Sequence, residues 1–404
     1  MRRRVVISGI GLVGPLGLTS GSFFRALVGG VNGIRRHPDQ SIQRHVGYVD
    51  LDLSENFSQT QRRTLDRVTL LAMYAASEAI EMARLGNGDV SRDCGVFVGT
   101  GIGGVISLAE GIGSFHGVGS RNAILTVPAA MPHACAANVA MMMGATAEAQ
   151  TYSSACSAGA VAIGEAYRRI RDGYQDIALC GGSEALITPP ILEAWAQLRV
   201  LCVEPENDPT TGCRPFSASR SGFALAEGAG MLVLEDREHA IGRGVAPIAE
   251  VVGYGVSNDA THLTRPDPAG QTLAVERAIK DAGIDACAIG YVNAHGSGTR
   301  IGDLIETRVL KSVFGKHQDR VAVSGTKSAH GHLIGAAGAV EFAICALALR
   351  NQVLPPTLHF DGDDPYCDLD YVSNRYRMVD GLQYAMSNSF GMGGNNVVLI
   401  ATRC

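Results

Sequence analysis

Four glycine-flanked stretches of the chain carry side chains that can act as nucleophiles or hydrogen-bond a reacting oxygen. They are Thr151-Tyr-Ser-Ser-Ala-Cys156-Ser-Ala-Gly-Ala160, Asn293-Ala-His295-Gly-Ser297-Gly-Thr299, Ser324-Gly-Thr-Lys327-Ser-Ala-His330-Gly-His332 and Asn388-Ser-Phe390-Gly-Met392-Gly-Gly394. Cys156 with His295 and His332 indicates covalent acyl chemistry, because histidines can hydrogen-bond a carbonyl or enolate oxygen and transfer protons. The glycines around Phe390 could leave backbone N–H groups free to bind an oxyanion.

Cys156 stands between a β-branched and aromatic entry and a helical pattern over residues 161–173. This order predicts a strand, a tight turn and a helix, with the cysteine at the helix N-terminus. Unpaired N–H groups and the helix dipole favour an anion there, so we expect the thiol pKa, ordinarily about 8.5, to be lowered. The alternative is a small buried core cysteine.

The accompanying residues also have purely structural interpretations. A histidine can be a satisfied core residue, and His330-x-His332 could bind a metal, although no carboxylate or cysteine cluster accompanies the pair. Lys327 could lie in an exposed turn, but its small neighbours favour a buried electrostatic role. Asp303 and Glu306, three residues apart, are expected to share a solvated helical face.

Strands alternate with helices along the chain, which predicts an α/β fold with mainly parallel sheets. The chemical stretches follow predicted strands, and α/β sheets bind ligands at the carboxyl ends of their parallel strands, so the stretches should converge on one crevice. The predicted strands cover residues 5–10, 94–100, 176–182, 228–235, 249–254, 289–294, 321–324 and 396–401. The predicted helices cover residues 22–28, 68–85 with Gly86 as the stop, 134–144, 161–173, 272–282 and 335–350.

The second part of the chain resembles the first in outline. Cys-Gly-Val-Phe-Val-Gly-Thr-Gly of residues 94–101 matches Ile-Gly-Tyr-Val-Asn-Ala-His-Gly of residues 289–296. Met-Leu-Val-Leu of residues 231–234 matches Val-Val-Leu-Ile of residues 397–400. These ordered parallels predict two related α/β halves: residues 1–242 with the cysteine, and residues 243–404 with both catalytic histidines.

The composition describes a compact globular chain, and its net charge of -5 offers no basic field for nucleic acid. The 10 cysteines are scattered without a C-x-x-C pair, which argues against a zinc ribbon or disulfide framework and fits a reducing cytoplasm. Apolar runs are interrupted before about 18 residues, so we expect no membrane span. The glycines of residues 101–104 lack the remainder of a phosphate loop, so nucleotide binding is not predicted.

The four stretches together resemble the β-ketoacyl-acyl carrier protein synthases of the Cys-His-His branch, types I and II, over essentially the whole chain. The resemblance implies a thiolase-like fold, two related halves in five α-β-α-β-α layers, and a dimer. It also implies an acyltransferase that performs a decarboxylative Claisen condensation. Cys156 would take an acyl chain from acyl carrier protein; malonyl carrier protein would then lose carbon dioxide, and its carbanion would attack the thioester.

The resemblance also assigns a role to each catalytic residue. His295 and His332 would hydrogen-bond the malonyl thioester oxygen and stabilise the enolate, while Lys327 would support His332 and the local field. The backbone N–H groups of Cys156 and Phe390 would form the oxyanion hole for acyl transfer. Phe390 would in addition gate the acyl pocket.

Binding sites follow from the same resemblance. No cofactor is required, because the phosphopantetheine belongs to the carrier protein; it would bind at Ser297 and Thr299. The acyl pocket would be lined by Ile102, Trp195, Phe390 and Met392. The acidic carrier protein would dock on Arg62, Arg63 and Arg199. Some relatives hold a structural sodium or potassium ion at the positions of Asn293, Ala294, Glu341, Ser387 and Asn388.

Several residues depart from the pattern of primary fatty acid synthesis, where members usually carry Thr-Ser-Thr at Ser297-Gly298-Thr299, Thr at His330, Phe at Met392 and Thr at Asn395. These departures surround the predicted pocket and favour a specialised type II polyketide, polyene or aryl polyene ketosynthase. Such enzymes often pair with a homologous chain-length factor that lacks the cysteine, so the chain would be the catalytic subunit of a homodimer or heterodimer. Housekeeping fatty acid elongation is the main alternative; a non-decarboxylative thiolase and a catalytically silent partner are less favoured, because the cysteine and histidines are all present.

Overall fold

The computed structural model describes residues 2–85, 93–117, 125–362 and 364–404. The strands are β1 Val5–Val13, β2 Arg35–Arg36, β3 His45–Val46, β4 Gly95–Gly99, β5 Ala149–Tyr152, β6 Ile177–Glu184, β7 Gly228–Asp236, β8 Ala249–Asn258, β9 Ile289–Asn293, β10 Ala322–Ser324, β11 Val353–Leu354, β12 Arg377–Met378, β13 Tyr384–Gly391 and β14 Asn395–Thr402. The helices are α1 Ser20–Val28, α2 Leu53–Asn56, α3 Gln59–Thr64, α4 Arg67–Met82, α5 Val105–Phe115, α6 Thr126–Ala130, α7 Ala134–Met143, α8 Ala158–Arg171, α9 Pro189–Gln197, α10 Arg237–Gly242, α11 Pro268–Ala282, α12 Arg300–Phe314, α13 Lys327–His330 and α14 Ala337–Asn351.

Within the described ranges, ten strands form one sheet in the order β10-β9-β13-β14-β8-β1-β7-β6-β4-β5. The order is symmetric about β1 and β8, which pair antiparallel where Val5 faces Val251. The matched segments occupy equivalent places, β4 with β9 and β7 with β14, so the duplication seen in the sequence has a structural counterpart. The boundary between residues 242 and 243 stays a proposal.

The expectation of mainly parallel sheets is wrong. Only the outer pairs, β4 with β5 and β6 and β9 with β10 and β13, are parallel. The five pairs in the middle are antiparallel. For β13 and β14 the reason is a tight turn, which reverses the chain, whereas the other four antiparallel pairs join strands that are distant in sequence.

The elements stack in the five layers that the family resemblance implies. Helices α4 and α7 cover the outer face of the first half of the sheet, and α11 and α12 cover the outer face of the second. Helices α8 and α14 lie between the halves and contact each other as well as both groups of strands. Because strands run into α8 and towards α14, the inner layer brings the starts of these two helices together.

Small residues allow α8 and α14 to approach closely. A Cβ atom added to Gly338 would lie 2.8 Å from Cβ of Ala160, and one added to Gly159 would lie 2.9 Å from the carbonyl oxygen of Gly335. Side chains larger than hydrogen at these positions would push the two helices apart. The glycines and alanines of both helix starts therefore set the distance between the cysteine and histidine stretches.

One segment of the inner layer, Ile334–Asn351, is long and apolar enough to cross a bilayer, with a mean hydropathy of 1.4, but 89% of it is buried inside the fold. Thirteen consecutive residues of α14, 337–349, are buried. A helix that is apolar on all sides and enclosed by protein is a core helix. This agrees with the expectation of no membrane span.

Most predicted elements are present with shifted ends, and the structure adds several short strands and helices that have no predicted counterpart. Two of the added elements carry site residues: strand β13 and helix α12, whose patterns glycine and charged residues interrupt. Gly86, predicted to end the helix that the structure places at Arg67–Met82, lies outside the described residues.

Candidate active site

Cys156 lies on a short 3-10 turn, Ala155–Ser157, between β5 and the first residue of α8. The residue before it, Ala155, has φ +52°, a left-handed conformation that costs an L-residue roughly 1 kcal/mol. Strained backbone of this kind persists where the surroundings fix it, often at functional sites. The predicted strand, turn and helix are confirmed, and they place the thiol, which is 5% exposed, at the floor of a cavity.

His332 is the side chain that reaches the cysteine. Its Nε2 atom lies 3.1 Å from Sγ of Cys156. Its Nδ1 atom lies 3.2 Å from the backbone nitrogen of Ile334, which can only donate, so Nδ1 is the acceptor and Nε2 carries the proton. His332 therefore presents an N–H donor to the sulfur and cannot accept the proton of the thiol through Nε2.

The expected lowering of the cysteine pKa is wrong for the free enzyme. Burial raises the pKa of the Cys156 thiol to about 11, although the charge of Lys327 and a hydrogen bond from the backbone N–H of Met392 act to lower it. The sequence pattern reveals the helix start but not the depth at which it is buried, and here desolvation is the larger effect.

His295 follows β9 and lines the same cavity. The ring centroids of His295 and His332 lie 5.5 Å apart at an interplanar angle of 79°. Burial and the charge of Lys327 hold the pKa of both imidazoles well below the usual range, so both rings are neutral at physiological pH. Two neutral imidazoles beside one thiol can donate hydrogen bonds to a single oxygen.

Lys327 is fully buried, as its small neighbours predict, but its contacts differ from the expectation that it supports His332. Its Nζ donates to the backbone carbonyl of His295 at 2.5 Å and to Oε1 of Glu341 at 2.5 Å. Lys327 thus anchors the segment of the other histidine, and it acts on His332 through its charge alone.

The predicted oxyanion donor is displaced by two residues. Phe390 lies inside β13, opposite Asn396 of β14, and its ring faces His295 at a centroid distance of 6.1 Å. The backbone N–H that reaches the Cys156 sulfur belongs to Met392, in the turn after β13. Strand β13 continues to Gly391, so the N–H group that reaches the sulfur comes later in the glycine-rich stretch.

The cavity above Cys156 has a volume of about 500 Å³ and opens to solvent. Among the predicted binding residues, its walls include Ser297, Thr299, Phe390, Met392 and Arg199. The other predicted binding residues do not line this cavity.

Ile102 and Trp195, which the resemblance assigns to the acyl pocket, do not line this cavity, so that assignment stays a proposal. Ile102 is 43% exposed. Trp195 packs edge-on against Phe223 at 5.7 Å, and Phe223 in turn packs edge-on against His332 at 4.8 Å. Arg62 and Arg63, the other predicted docking residues, are exposed on α3.

The acidic residues of α12 were misjudged, because Asp303 and Glu306 are buried instead of solvated. Glu306 accepts hydrogen bonds at 2.8 Å from the backbone nitrogens of both His295 and Gly296. Asp303 accepts one at 3.0 Å from the backbone nitrogen of Gly298. Their spacing on one helix face, immediately after the histidine stretch, was a signal that these carboxylates could fold back on the loop.

Glu184 was not singled out, yet it organises the other side of the site. Its carboxylate accepts hydrogen bonds from the backbone nitrogens of Gly101 at 2.6 Å and Gly335 at 2.9 Å. Burial raises its pKa to about 7. The glycine-rich loop that superficially resembled a phosphate site is therefore occupied by a carboxylate of the chain itself.

The two side chains of His330-x-His332 do not converge on a common point, as they would have to do to bind one metal ion. His330 contacts the carbonyl of Gly331 and the hydroxyl of Thr326, whereas His332 contacts Cys156. No group of three histidine, cysteine or carboxylate side chains that could hold a metal occurs in the described part of the chain.

A different set of buried polar atoms fits the monovalent cation that the resemblance implies. Glu341 Oε2, Asn388 Oδ1 and Ser387 Oγ have no hydrogen-bond partner among the described residues. Ser387 and Asn293 are register partners in neighbouring strands, and Ala294 could add its carbonyl oxygen. Oxygen donors that include one carboxylate suit sodium or potassium, so the residues present fit such an ion.

Comparison with known proteins places the chain in a family. The model of the beta-ketoacyl synthase N-terminal domain matches residues 2–240, and that of the C-terminal domain matches residues 248–361. The chain is 40% identical to nodulation protein E of Rhizobium meliloti, covering 99% of each protein. It is 37% identical to 3-oxoacyl-[acyl-carrier-protein] synthase 2 of Synechocystis sp., covering 98% of the chain and 97% of that protein.

A solved structure described as the ishigamide ketosynthase/chain length factor superposes with a TM-score of 0.92 at 30% identity, covering 100% of both chains. The agreement extends to the thiolase-like arrangement of layers, which confirms the fold expected from the sequence. Because family models and full-length relatives agree, the chain belongs to the β-ketoacyl synthase family and is an acyltransferase of the β-ketoacyl-acyl carrier protein synthase type.

Proposed function

We propose that the enzyme holds its acyl chain on Cys156 and condenses it with malonyl carrier protein under control of two neutral histidines. The observation that carries this proposal is the protonated Nε2 of His332 at 3.1 Å from Sγ of Cys156, with His295 beside it. A donor in that place can bind the oxygen of a thioester above the sulfur and cannot act as a base towards the thiol.

In the first half-reaction, the sulfur of Cys156 attacks the thioester of acyl carrier protein. The thiol proton ends on the released carrier thiol, and the acyl group forms a new thioester with Cys156. The negative charge on the tetrahedral oxygen is stabilised by the backbone N–H groups of Cys156 and Met392. We assign Met392 in place of Phe390 because its N–H points at the sulfur in the free enzyme.

In the second half-reaction, malonyl carrier protein loses carbon dioxide and becomes an enolate. His295 and His332 donate hydrogen bonds to the enolate oxygen, where two preorganised donors in a dry site are strongly stabilising. The enolate carbon attacks the acyl thioester, the carbon–sulfur bond to Cys156 breaks, and the sulfur takes up one proton. Lys327 contributes by fixing the backbone of His295 and by keeping both rings neutral.

The cavity provides the path for the carrier's phosphopantetheine arm, with Ser297 and Thr299 on its wall. Three arginines, Arg199, Arg265 and Arg300, line the same cavity from three separate segments, and all three are exposed. A positive rim would attract an acidic carrier protein despite the net negative charge of the chain. We place carrier docking on this rim and keep Arg62 and Arg63 as candidates on α3.

We assign the enzyme to a specialised type II polyketide or polyene pathway, such as aryl polyene synthesis. Support comes from the location of two unusual residues: the backbone N–H of Met392 reaches the Cys156 sulfur, and Ser297 lies on the cavity wall. Housekeeping type II fatty acid elongation is the second candidate, favoured by the similarity to a relative named 3-oxoacyl-[acyl-carrier-protein] synthase 2. A silent partner subunit would have no need of the aligned Cys156 and His332.

An elongation assay separates the two pathways. Purified protein would be given malonyl carrier protein with saturated or polyunsaturated acyl carrier proteins, and products would be quantified by mass spectrometry. The specialised assignment predicts preferential extension of unsaturated chains. Equal and efficient extension of saturated chains would instead support the housekeeping function.

A second subunit, either the same chain or a chain-length factor, is proposed to cover the face formed by α5, α6 and α7. Large apolar side chains are exposed there, among them Ile112 at 53%, Phe115 at 85%, Val127 at 63% and Met141 at 69%. The adjacent strand β5 is the last strand of the sheet, and no strand of the described residues pairs with its outer edge. Contiguous apolar surface beside an open strand edge indicates a protein interface.

We further propose that Glu341 and its oxygen-rich neighbours hold a sodium or potassium ion with a structural role, and that the enzyme works in the cytoplasm. The ion would bind Glu341 Oε2, which has no hydrogen-bond partner among the described residues, while Oε1 stays paired with Lys327. Thermal unfolding in buffers that contain sodium, potassium or only a large organic cation tests the ion, since binding to the folded state alone raises the unfolding temperature.

A further inference from the structure

His330, one of the unusual residues, is fully buried between the two catalytic segments. Its Nδ1 atom lies 2.7 Å from the carbonyl oxygen of Gly331, and its Nε2 atom lies 3.1 Å from Oγ1 of Thr326. A carbonyl oxygen only accepts, so Nδ1 carries a proton. Burial beside Lys327 lowers the pKa of His330 to about 3, which leaves the ring neutral and Nε2 with a lone pair.

The lone pair of His330 Nε2 determines where the Thr326 hydroxyl sends its single proton. The hydroxyl must donate to Nε2, because no other proton lies between the two atoms. Yet Oγ1 of Thr326 also lies 3.3 Å from the side-chain amide of Asn293. Because the Thr326 hydroxyl already donates its proton to His330, it can only accept a hydrogen bond from Asn293. The Asn293 side chain must therefore turn its amide nitrogen, and not its oxygen, towards Thr326.

This orientation removes an otherwise costly feature of the core. If Asn293 faced Thr326 with its oxygen, its Nδ2 would be a buried donor with no partner in the described ranges. The Tyr291 hydroxyl lies near the side chains of both Ser324 and Asn293 but makes no well-aligned hydrogen bond to either. With Nδ2 turned towards Thr326, the amide nitrogen gains an acceptor, and Oδ1 offers the Tyr291 hydroxyl an acceptor in addition to Ser324.

We propose that His330 is a positioning residue that sets the Asn293 amide through the Thr326 hydroxyl. The chain of contacts links the segment that ends in His332 to the segment that ends in His295. This inference rests on the proposed function, in which both His295 and His332 bind the same enolate oxygen. A change in the contacts that link their two segments should therefore slow decarboxylation. Acyl loading of Cys156, which uses backbone donors, depends on it much less.

The hydrogen-bond logic can be tested without any activity. Nitrogen NMR of the wild-type enzyme, labelled at histidine and assigned with His330→Asn, distinguishes the two neutral tautomers. The inference expects a protonated Nδ1 and an unprotonated Nε2 at His330 from pH 6 to 9. A protonated Nε2 would overturn it, because Thr326 would then be free to donate to Asn293.

The functional consequence is tested by separating the two half-reactions. His330→Asn keeps a donor for the Gly331 carbonyl but has no acceptor that reaches Thr326, Thr326→Val removes the hydroxyl, and Thr326→Ser is the matched control that retains it. We expect the first two variants to slow malonyl decarboxylation about tenfold or more, with acyl loading and the control near wild type.

The double variant decides whether His330 and Thr326 act together. Because they form one chain of contacts, His330→Asn/Thr326→Val should be no slower in decarboxylation than the worse single variant. The inference would be overturned if the fold-losses of the two single variants multiplied in the decarboxylation rate of the double variant. It would also be overturned if acyl loading and decarboxylation slowed equally. A wild-type enzyme that neither loads acyl groups nor decarboxylates malonyl carrier protein would refute the proposed function instead, and the tautomer measurement would still decide this inference.

Discussion

The backbone nitrogen of Ile334 lies 3.2 Å from Nδ1 of His332, and this contact fixes the chemistry of the site. It forces the proton onto Nε2, which points at Cys156. The cysteine and the histidine are therefore not a nucleophile and its base. They are an acyl holder and a hydrogen-bond donor that act in successive steps.

The division of labour predicts different losses in the two half-reactions. Cys156→Ala should abolish acyl loading, whereas His332→Ala should leave loading intact and slow decarboxylation about 100-fold or more, the usual cost of one oxyanion donor. His332→Gln, which retains an N–H donor, is the matched control and should lose less. Radiolabelled acyl transfer and release of carbon dioxide from malonyl carrier protein measure the two steps. Loading that survives without Cys156 would contradict the assignment.

The raised thiol pKa predicts a steep pH dependence of alkylation in the free enzyme. Because the Cys156 pKa is about 11, the reactive thiolate is scarce at pH 7, and alkylation by iodoacetamide should rise about tenfold per pH unit up to pH 10. Peptide mass spectrometry distinguishes this site from the exposed Cys287. A rate that levels off below pH 8 would show that the helix start outweighs burial.

Lys327→Met should make the thiol harder to ionise. The lysine charge lowers the Cys156 pKa, so its removal should raise that pKa and slow alkylation at pH 9. The change also strips the ion-pair partner from the buried Glu341, which is destabilising by about 3–5 kcal/mol. Lys327→Met/Glu341→Gln should recover much of that stability but not the alkylation rate, which separates the electrostatic effect from unfolding.

The local features of the site were predictable from sequence, because they depend on neighbouring residues. The strand and helix around Cys156 follow from short-range patterns, and the convergence of the stretches follows from a general rule about strand ends. The antiparallel middle of the sheet was not predictable in this way. The strand directions depend on which strands become neighbours in the sheet. The residue pattern within a single strand does not determine its neighbours.

The errors at the site have a common cause, since each depends on burial or on the end of an element. The end of β13 at Gly391 places the backbone N–H of Met392, and not that of Phe390, within reach of the sulfur. Asp303 and Glu306 look solvated until the loop before α12 folds back on them. The pKa of Cys156 depends on the whole fold that excludes water from it.

Replacing Glu306 should greatly lower the free energy of unfolding. Its carboxylate binds the backbone nitrogens of His295 and Gly296, and Glu306→Ala would leave two buried donors without partners. We expect about 2–5 kcal/mol from chemical denaturation. Glu306→Gln keeps one acceptor oxygen and should lose roughly half as much. A substitution at the exposed Glu276 of α11 should have little effect and serves as the control.

The arginine rim predicts a charge-dependent effect on carrier binding. Arg265→Glu and Arg300→Glu should each raise KM for malonyl carrier protein several-fold with kcat nearly unchanged, because they alter docking and not the reaction. The effect should shrink at high salt. A small thioester without the protein carrier should be used equally well by the variants and the wild type. An unchanged KM for the carrier would place docking elsewhere, for example at Arg62 and Arg63.

The turn that carries Met392 is hydrogen-bonded to a loop of residues 259–267. We therefore expect that breaking these contacts slows acyl transfer, although they lie away from the cysteine. Asn396 donates to Asp259 at 2.6 Å, and the backbone nitrogen of Gly393 donates to the carbonyl of Leu263 at 2.7 Å. Asn396→Ala removes the first of these contacts, so the turn should become mobile and the Met392 N–H less well aligned with the oxyanion.

We expect Asn396→Ala to slow acyl loading about tenfold with a stability loss of only about 1–3 kcal/mol. The matched control is Asn351→Ala, which removes a side-chain bond to the carbonyl of Leu347 at the far end of α14 and should affect stability alone. Loading rates from rapid-quench mass spectrometry, combined with denaturation curves, compare the two. If both variants load acyl groups at the wild-type rate, the turn does not need the loop, and the oxyanion donor must be held by β13 and β14 themselves.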